Sequence, residues 1–314
     1  MDPLNSPSGT DARDWPTAGQ AMPRVSVIMP ARNVERWISA AVESVLASSL
    51  TDFEFLISDD GSTDGTRAIL QSYAARDSRI RLIDTPSSGP AEARNSLLAL
   101  ARGAFIAFQD SDDICHPDRF RLQLDFLERN KDFAGISCNF VLIREEMEFP
   151  GDTSKHEILY RSTVVKVDQK KVFGRVIDFS FGASMVRAGS VKTLGGLRPF
   201  FTGAEDVDFN LRLAELGMLG NLQQVLYAYR KHGMNSALRW PYMNIESGVL
   251  LRMFAARRRK GRADRVYARK PSFIRIFTSG LSPAEIIVCL FEIARLSLKR
   301  SSRIAKAVAN RHWR

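Results

Sequence analysis

Between residues 25 and 130 the chain alternates, four times over, a short apolar run with a segment of helical periodicity. Few folds accommodate that rhythm. Val25–Met29 is the first run, and Asn33–Ala47 follows it with Val34, Ile38, Ala41, Val42, Val45 and Leu46 at helical spacing. Phe53–Ile57, Ile80–Ile83 and Ala104–Phe108 are the other runs, too short for helices and continuous enough to be buried on both faces. Thr66–Ala75, Pro90–Leu100 and Pro117–Asn130 read as the intervening helices. Pro90–Leu100 is the best marked, with Gly89 before it, Pro90 at its first position and Glu92 in its first turn. This pattern predicts a parallel sheet with helices on both faces. Such a sheet takes its ligand beyond the carboxyl ends of its strands.

Carboxylates gather at those ends. Asp59 and Asp60 follow the second run, and Asp110, Asp112 and Asp113 follow the fourth. Pro30, Ala31, Arg32 and Asn33 follow the first, so all nine positions fall in one proposed crevice. A third acidic cluster, Glu205, Asp206 and Asp208, opens a later helical segment, Ala204–Leu216. Turn chemistry explains one such cluster, since Asp and Gly are common where strands stop. Successive clusters of mutually repelling carboxylates point instead to a hard divalent cation shared with a phosphorylated ligand.

Beyond Phe133 the pattern is less regular. AGISCNFVLI, STVVKV and Leu219–Tyr229 are strand-like runs and suggest a mixed or antiparallel extension. Residues 1–23 are polar and rich in Pro, Gly and Ser, predicting a disordered lead-in without the apolar stretch of a signal peptide. No run approaches the length of a membrane span. Three cysteines, Cys115, Cys138 and Cys289, form no disulfide framework or metal-binding spacing and suit a reducing compartment. The net charge of +10 is uneven, because from Arg252 onward there are 17 Lys+Arg against 3 Asp+Glu.

Four segments, VSVIMPARN (25–33), ISDDGSTD (57–64), GPAEARN (89–95) and IAFQDSDD (106–113), together resemble the signature of family-2 glycosyltransferases. The resemblance continues through GLRPFFTGAEDVDFNLRL (196–213) and YRKHGMNS (229–236), covering roughly residues 24–240. It implies a GT-A fold: a Rossmann-like nucleotide-sugar-binding half over 24–131 and an acceptor-binding half over 132–240; beyond it, charge and periodicity suggest a basic helical region over 241–314. It also implies an inverting transfer of sugar from a nucleotide-sugar donor, assisted by Mg²⁺ or Mn²⁺. By resemblance Asp110, Asp112 and Asp113 are the DxD-type element, with Asp113 the direct metal ligand and Asp112 bridging ribose and metal. Two roles are open to Asp110, a further ligand or a support behind the loop. Asp59 and Asp60 fall where the family contacts base and ribose, which favours a UDP-sugar because a carboxylate accepts from the N3–H of uracil. Pro30–Asn33 pass close to the base. Arg94 reaches base or diphosphate, or is a helix-surface cation. Asp206 is implied as the general base and Glu205 as the group that positions the acceptor. His232 is a candidate metal ligand or phosphate partner, with a structural role as the alternative; Arg230 and Lys231 beside it are candidate diphosphate cations.

Ser236, Arg239 and Trp240 stand where processive synthases of the superfamily carry QxxRW, so the Gln is replaced and transfer of a single sugar is expected. In the tail, the run Arg257–Lys260 precedes SPAEIIVCLFEIARLSLKR (282–300), an amphipathic basic segment suited to an anionic membrane surface. Packing on the catalytic domain and an oligomer interface are the alternatives. Nucleic-acid binding is not expected, since no motif or aromatic interleaving accompanies the charge. The expectation is a cytoplasmic enzyme, peripheral on the inner face of the cell membrane, acting on a glycan or lipid-linked acceptor. Two rivals remain. A sugar nucleotidyltransferase would need a Gly-rich basic phosphate loop that VSVIMPARN lacks, and a catalytically inactive nucleotide-sugar-binding scaffold is opposed by the intact Asp113 and Asp206.

Overall fold

In the computed structural model, residues 22–153, 158–159, 179–199 and 204–233 are described. The lead-in through residue 21, the whole of STVVKV, the Ser236–Trp240 element and the basic tail lie outside them. The predicted alternation is present as β1 (Val25–Ala31), α1 (Ile38–Leu46), β2 (Phe53–Asp59), α2 (Thr66–Ala74), β3 (Ile80–Asp84), α3 (Pro90–Leu100) and β4 (Phe105–Phe108). Next come β5 (Ile114–Cys115), α4 (Arg119–Arg129), β6 (Phe133–Arg144), β7 (Ile158–Leu159), β8 (Met185–Arg187), α5 (Ala188–Leu194), α6 (Glu205–Leu216) and β9 (Met218–Lys231).

Strands β3-β2-β1-β4 are parallel, and the order reverses between β1 and β4. That reversal opens a crevice at the carboxyl ends of these two strands. The sheet continues as β8-β6-β9-β5, with β8 antiparallel to both β4 and β6, β9 parallel to β6, and β5 antiparallel to β9. Among the described residues it is therefore one mixed sheet, parallel across β3-β2-β1-β4 and mixed beyond.

Residues of one strand alternate between two cores. Val27, Met29, Phe55 and Ile57 pack with Ile38, Val42, Leu70, Phe120 and Leu124 on the face covered by α1, α2 and α4. Ile28, Leu56, Ile106 and Phe108 pack with Leu97, Val191, Phe209 and Leu213 under α3, α5 and α6. Burial on both faces is why these strands read as unbroken apolar runs.

Several boundaries differ from the sequence pattern. The β1–β2 ladder runs on to Ala31 and Asp59, past the apolar runs, so Pro30, Ala31 and Asp59 belong to the strands. Pro30 is tolerated because β4 stops opposite Ile28, leaving no ladder bond for the missing N–H. Helix α1 starts at Ile38 instead of Asn33 because Asn33 turns left-handed, with φ 52°. By contrast α3 begins at Pro90 as expected, after Gly89 at φ 93°, a conformation that favours glycine.

Candidate active site

The turn after β4 is the centre of the site. Asp110, Asp112 and Asp113 lie on it, and β5 then docks the chain against β9 through Ile114 and Cys115. Strand β9 thereby forms the opposite wall: the Arg230 N–H donates to Asp113 Oδ1 at 2.7 Å, and His232 Nε2 lies 2.9 Å from Asp112 Oδ2. The Tyr227 hydroxyl accepts the Asp110 N–H at 3.2 Å. The His232 ring stacks on Trp37 with centroids 3.8 Å apart, which fixes its plane.

The three carboxylates are not equivalent. Asp113 is fully buried, its Oδ2 has no hydrogen-bond partner among the described residues, and burial followed by its acidic neighbours Asp112 and Asp110 pushes its pKa well above the usual range. Asp112 and Asp110 keep side-chain exposures of 23% and 32% and are the more accessible of the three. Burial also raises Asp110, partly offset by the Arg94 guanidinium. Gly182 makes room for this side chain, because a Cβ there would collide with Asp110 Oδ2.

Arg94, on α3, joins two of the acidic clusters. One Nη donates to Asp110 Oδ1 at 2.9 Å and the other lies 3.5 Å from Glu205 Oε1, while the guanidinium sits over Phe181 at 5.2 Å. It is not a helix-surface cation. Glu205 and Asp206 open α6, so the amino end of that helix faces the same space. Asp206 Oδ1 accepts the Val207 N–H at 2.7 Å. Burial, reinforced by the Glu205 charge, raises its pKa to about 6, against an ordinary value of 3.8. Asp208 turns away: it pairs with Arg212 at 2.8 Å and Arg198 at 3.4 Å beneath the helix.

On the nucleotide side, the residues expected to meet the donor also bind one another. Asp60 Oδ1 accepts the Ser88 N–H at 2.9 Å, its Oδ2 accepts the Gly89 N–H at 3.0 Å, and Arg32 lies 3.8 Å away. Asp59 Oδ1 accepts the Ser62 N–H at 3.2 Å, with Arg67 at 3.7 Å from Oδ2. Asn33 donates its N–H to Ser62 Oγ at 3.0 Å and accepts the Thr63 N–H at 2.8 Å. These bonds clamp the loops after β1, β2 and β3 together. The Arg230 guanidinium, a candidate diphosphate cation, is committed to framework instead, donating to the carbonyls of Asp112 and Met147, both at 2.9 Å.

The donor chemistry of the turn suits a hard cation, since Asp113 Oδ2 is buried without a partner among the described residues and oxygen ligands predominate. The described residues nonetheless gather no three His, Cys, Asp or Glu side chains around a single point. Trp37, Gln109, Arg119, Tyr227 and Gly182 belong to the site and were not singled out from the sequence. A Trp inside the loop after the first strand was the one local signal; the others depend on contacts across more than seventy residues, apart from Arg119 and Gln109. Among the described residues no helix is long and apolar enough to cross a membrane.

Comparison with known proteins bears on this arrangement. The sequence profile described as Glycosyl transferase family 2 matches residues 26–195. EpsE of Bacillus subtilis (strain 168), a glycosyltransferase by name, is 33% identical over 260 residues, covering 81% of this chain and 90% of EpsE. Escherichia coli chondroitin synthase is 31% identical over 218 residues, which is 69% of this chain but 30% of that protein. Among solved structures, S. aureus TarS 1–349 in complex with UDP-GlcNAc superposes with a TM-score of 0.60 at 19% identity, covering 87% of this chain and 81% of that one. The mannosyltransferase PcManGT from Pyrobaculum calidifontis, in complex with GDP-Man and Mn²⁺, gives 0.55 at 18% identity, covering 94% of this chain and 82% of that one. Both likenesses concern the fold.

Proposed function

The chain belongs to glycosyl transferase family 2 and is a glycosyltransferase, and from that premise we propose an inverting transfer of one sugar from a nucleotide diphosphate sugar to a hydroxyl of a glycan or lipid-linked acceptor. The observation that carries the proposal is the Arg94 bridge, which sets the acidic turn and the amino end of α6 on either side of one guanidinium. A donor whose diphosphate lies against the turn would then present its anomeric carbon towards Asp206.

In this reaction the acceptor oxygen bonds to the anomeric carbon from the face opposite the diphosphate. The carbon–oxygen bond to the diphosphate breaks, its electrons stay with the leaving phosphate, and the acceptor proton passes to Asp206. A desolvated carboxylate titrating near 6 is a stronger base than an ordinary aspartate and is still ionised near neutrality. Glu205, held by Arg94, orients the acceptor hydroxyl. Asp112 on the turn, with His232 beside it, would hold Mg²⁺ or Mn²⁺ and share it with the donor phosphates, while Asp110 and Asp113 add negative charge nearby. The exposures favour Asp112 over Asp113 as the direct ligand. Such an ion, when bound, stabilises the charge that develops on the departing diphosphate.

The clamped loops after β1, β2 and β3 form the nucleoside side, with Pro30–Asn33 along one edge and Asp59 and Asp60 at its floor. A uridine donor is supported by the likeness to TarS, described with UDP-GlcNAc, whereas PcManGT is described with GDP-Man. A place in cell-surface polysaccharide synthesis is supported by TuaG of B. subtilis, named for teichuronic acid biosynthesis, at 46% identity over 114 residues. An acceptor carried on lipid would place the enzyme at the inner face of the membrane, with the basic tail as its contact. The test is a thermal-shift screen of UDP- and GDP-sugars with and without Mn²⁺. A nucleotide sugar that binds the native state raises its melting temperature. Absence of any shift across the panel would remove the proposal.

A further inference from the structure

Helix α4 opens with Arg119, an arginine of zero exposure. A guanidinium is charged under all ordinary conditions, and burying one is expensive unless a partner offsets it. Among the described residues no carboxylate lies within ion-pair distance of it, and its Nε has no partner. Its bonds run elsewhere. Nη2 donates to the Phe108 carbonyl at 2.5 Å and Nη1 to the Gln109 Oε1 at 2.9 Å. Phe120 and Tyr227 flank the group, with ring centroids 4.6 and 5.1 Å from its carbon.

The bond to Gln109 has a consequence for the acidic turn. Arginine has only donors, so the Gln109 amide must turn its oxygen to Arg119 and its NH₂ the other way. That NH₂ donates to the carbonyls of Asp110 at 3.0 Å and Asp113 at 3.2 Å, at either end of the turn. Tyr227, packed on the guanidinium, takes the Asp110 N–H. Without a donor at position 119 the amide is free to flip and set oxygen against oxygen. The buried charge also lies close enough to oppose the repulsion felt by Asp110.

We propose that Arg119 and Gln109 form a positioning pair that holds the Asp110–Asp113 turn in its ligand-ready shape before ligand arrives. This rests on the turn being the donor-binding element. Neither side chain meets substrate, so their effect falls on donor affinity and on no property of the acceptor.

The experiment uses the full chain and the variants Arg119→Met, Arg119→Lys, Gln109→Leu and the Met/Leu double variant. Binding is titrated calorimetrically with UDP and Mn²⁺, or with GDP and Mn²⁺ if the wild type binds that instead. Melting temperatures and steady-state kinetics are measured alongside. Each of Gln109→Leu and Arg119→Met should weaken binding by about tenfold, the loss of roughly one hydrogen bond to a charged network. The double variant should lose no more than either alone, because the two act in series. Arg119→Lys should fall between, keeping a donor but not the fork. Donor KM for Mn²⁺-dependent hydrolysis of the nucleotide sugar, with water as acceptor, should rise while kcat stays level, which a loss of folded protein alone would not produce. Wild-type affinity in Gln109→Leu, or losses that multiply in the double variant, would overturn the pair. If Arg119→Met does not fold, Gln109→Leu and Arg119→Lys decide the matter. A wild-type chain that binds neither nucleotide overturns the donor assignment as well, whereas binding unaffected by the variants overturns the pair alone.

Discussion

Replacing Asp206 by Asn should slow transfer severely and make the protein more stable. In the folded chain this carboxyl titrates at about 6 against an ordinary 3.8, chiefly through burial and the Glu205 charge. A gap of that size corresponds to about 3 kcal/mol between its two protonation states. The folded pKa is raised, so the associated stability is fully present below the unfolded value and is lost as pH rises through 6. At neutral pH the wild type has lost it; Asn, which cannot ionise, has not. Asn can still accept the Val207 N–H, so that bond survives. Partial exposure of the side chain screens some of the penalty. Retaining about half of it gives a gain of roughly 1.5 kcal/mol, or about 3–6 °C in melting temperature for a domain of this size. The assay is differential scanning calorimetry of both proteins from pH 4 to 8, with donor titration and transfer rates at pH 7.5. The two melting curves should nearly coincide near pH 4, diverge up to about pH 6, and run parallel above it. Donor affinity should persist while the transfer rate falls by about 10²–10⁴. An Asn variant that melts no higher than wild type at pH 7.5 would refute the electrostatic reasoning, and one with normal turnover would refute the base assignment.

Removing the Arg94 charge by Arg94→Met should raise the pKa of Asp206 further, so the acidic limb of the pH–rate profile should move to higher pH; a limb that stays in place excludes the coupling. Gly182→Ala should push the Asp110 carboxylate from its seat and weaken Mn²⁺-dependent donor binding by about tenfold, with calorimetry as the readout and unchanged affinity as the contrary result. His232→Ala and Asp112→Asn should each weaken Mn²⁺-dependent binding of nucleotide more than metal-free binding. Equal losses with and without Mn²⁺ would assign both residues to framework.

The parallel half of the sheet was legible because its strands are buried on both faces and its helices are amphipathic, so period alone separates them. Gly89 and Pro90 fixed the start of α3 to the residue. Strand ends were less legible: the ladder carries Pro30, Ala31 and Asp59 beyond the apolar runs, because pairing follows the neighbouring strand and not local hydrophobicity. Strands β5 and β8, two and three residues long, have too few positions to show any period. Within the site, residue types marked the three acidic clusters but not their division of labour. That Asp113 is closed off while Asp112 is open depends on β9 docking against the turn. The framework role of the Arg230 guanidinium and the pairing of Asp208 with Arg212 are likewise tertiary facts.

The position of β9 bears on how the site comes into being during synthesis. Asp112 and His232 are separated by 120 positions, and Asp113 and Arg230 by 117. Closing a loop of that length is slow compared with forming the local strand–helix units, and its entropy must be met before any contact rewards it. The nucleotide half therefore has time to assemble on the ribosome while its acidic turn still lacks its far wall. A nascent chain released just after α6 would carry every acidic residue of the site, with neither the Arg230 amide for Asp113 nor the imidazole for Asp112. Ligand competence should consequently appear late in translation, in a single step, when β9 slides in beside β6.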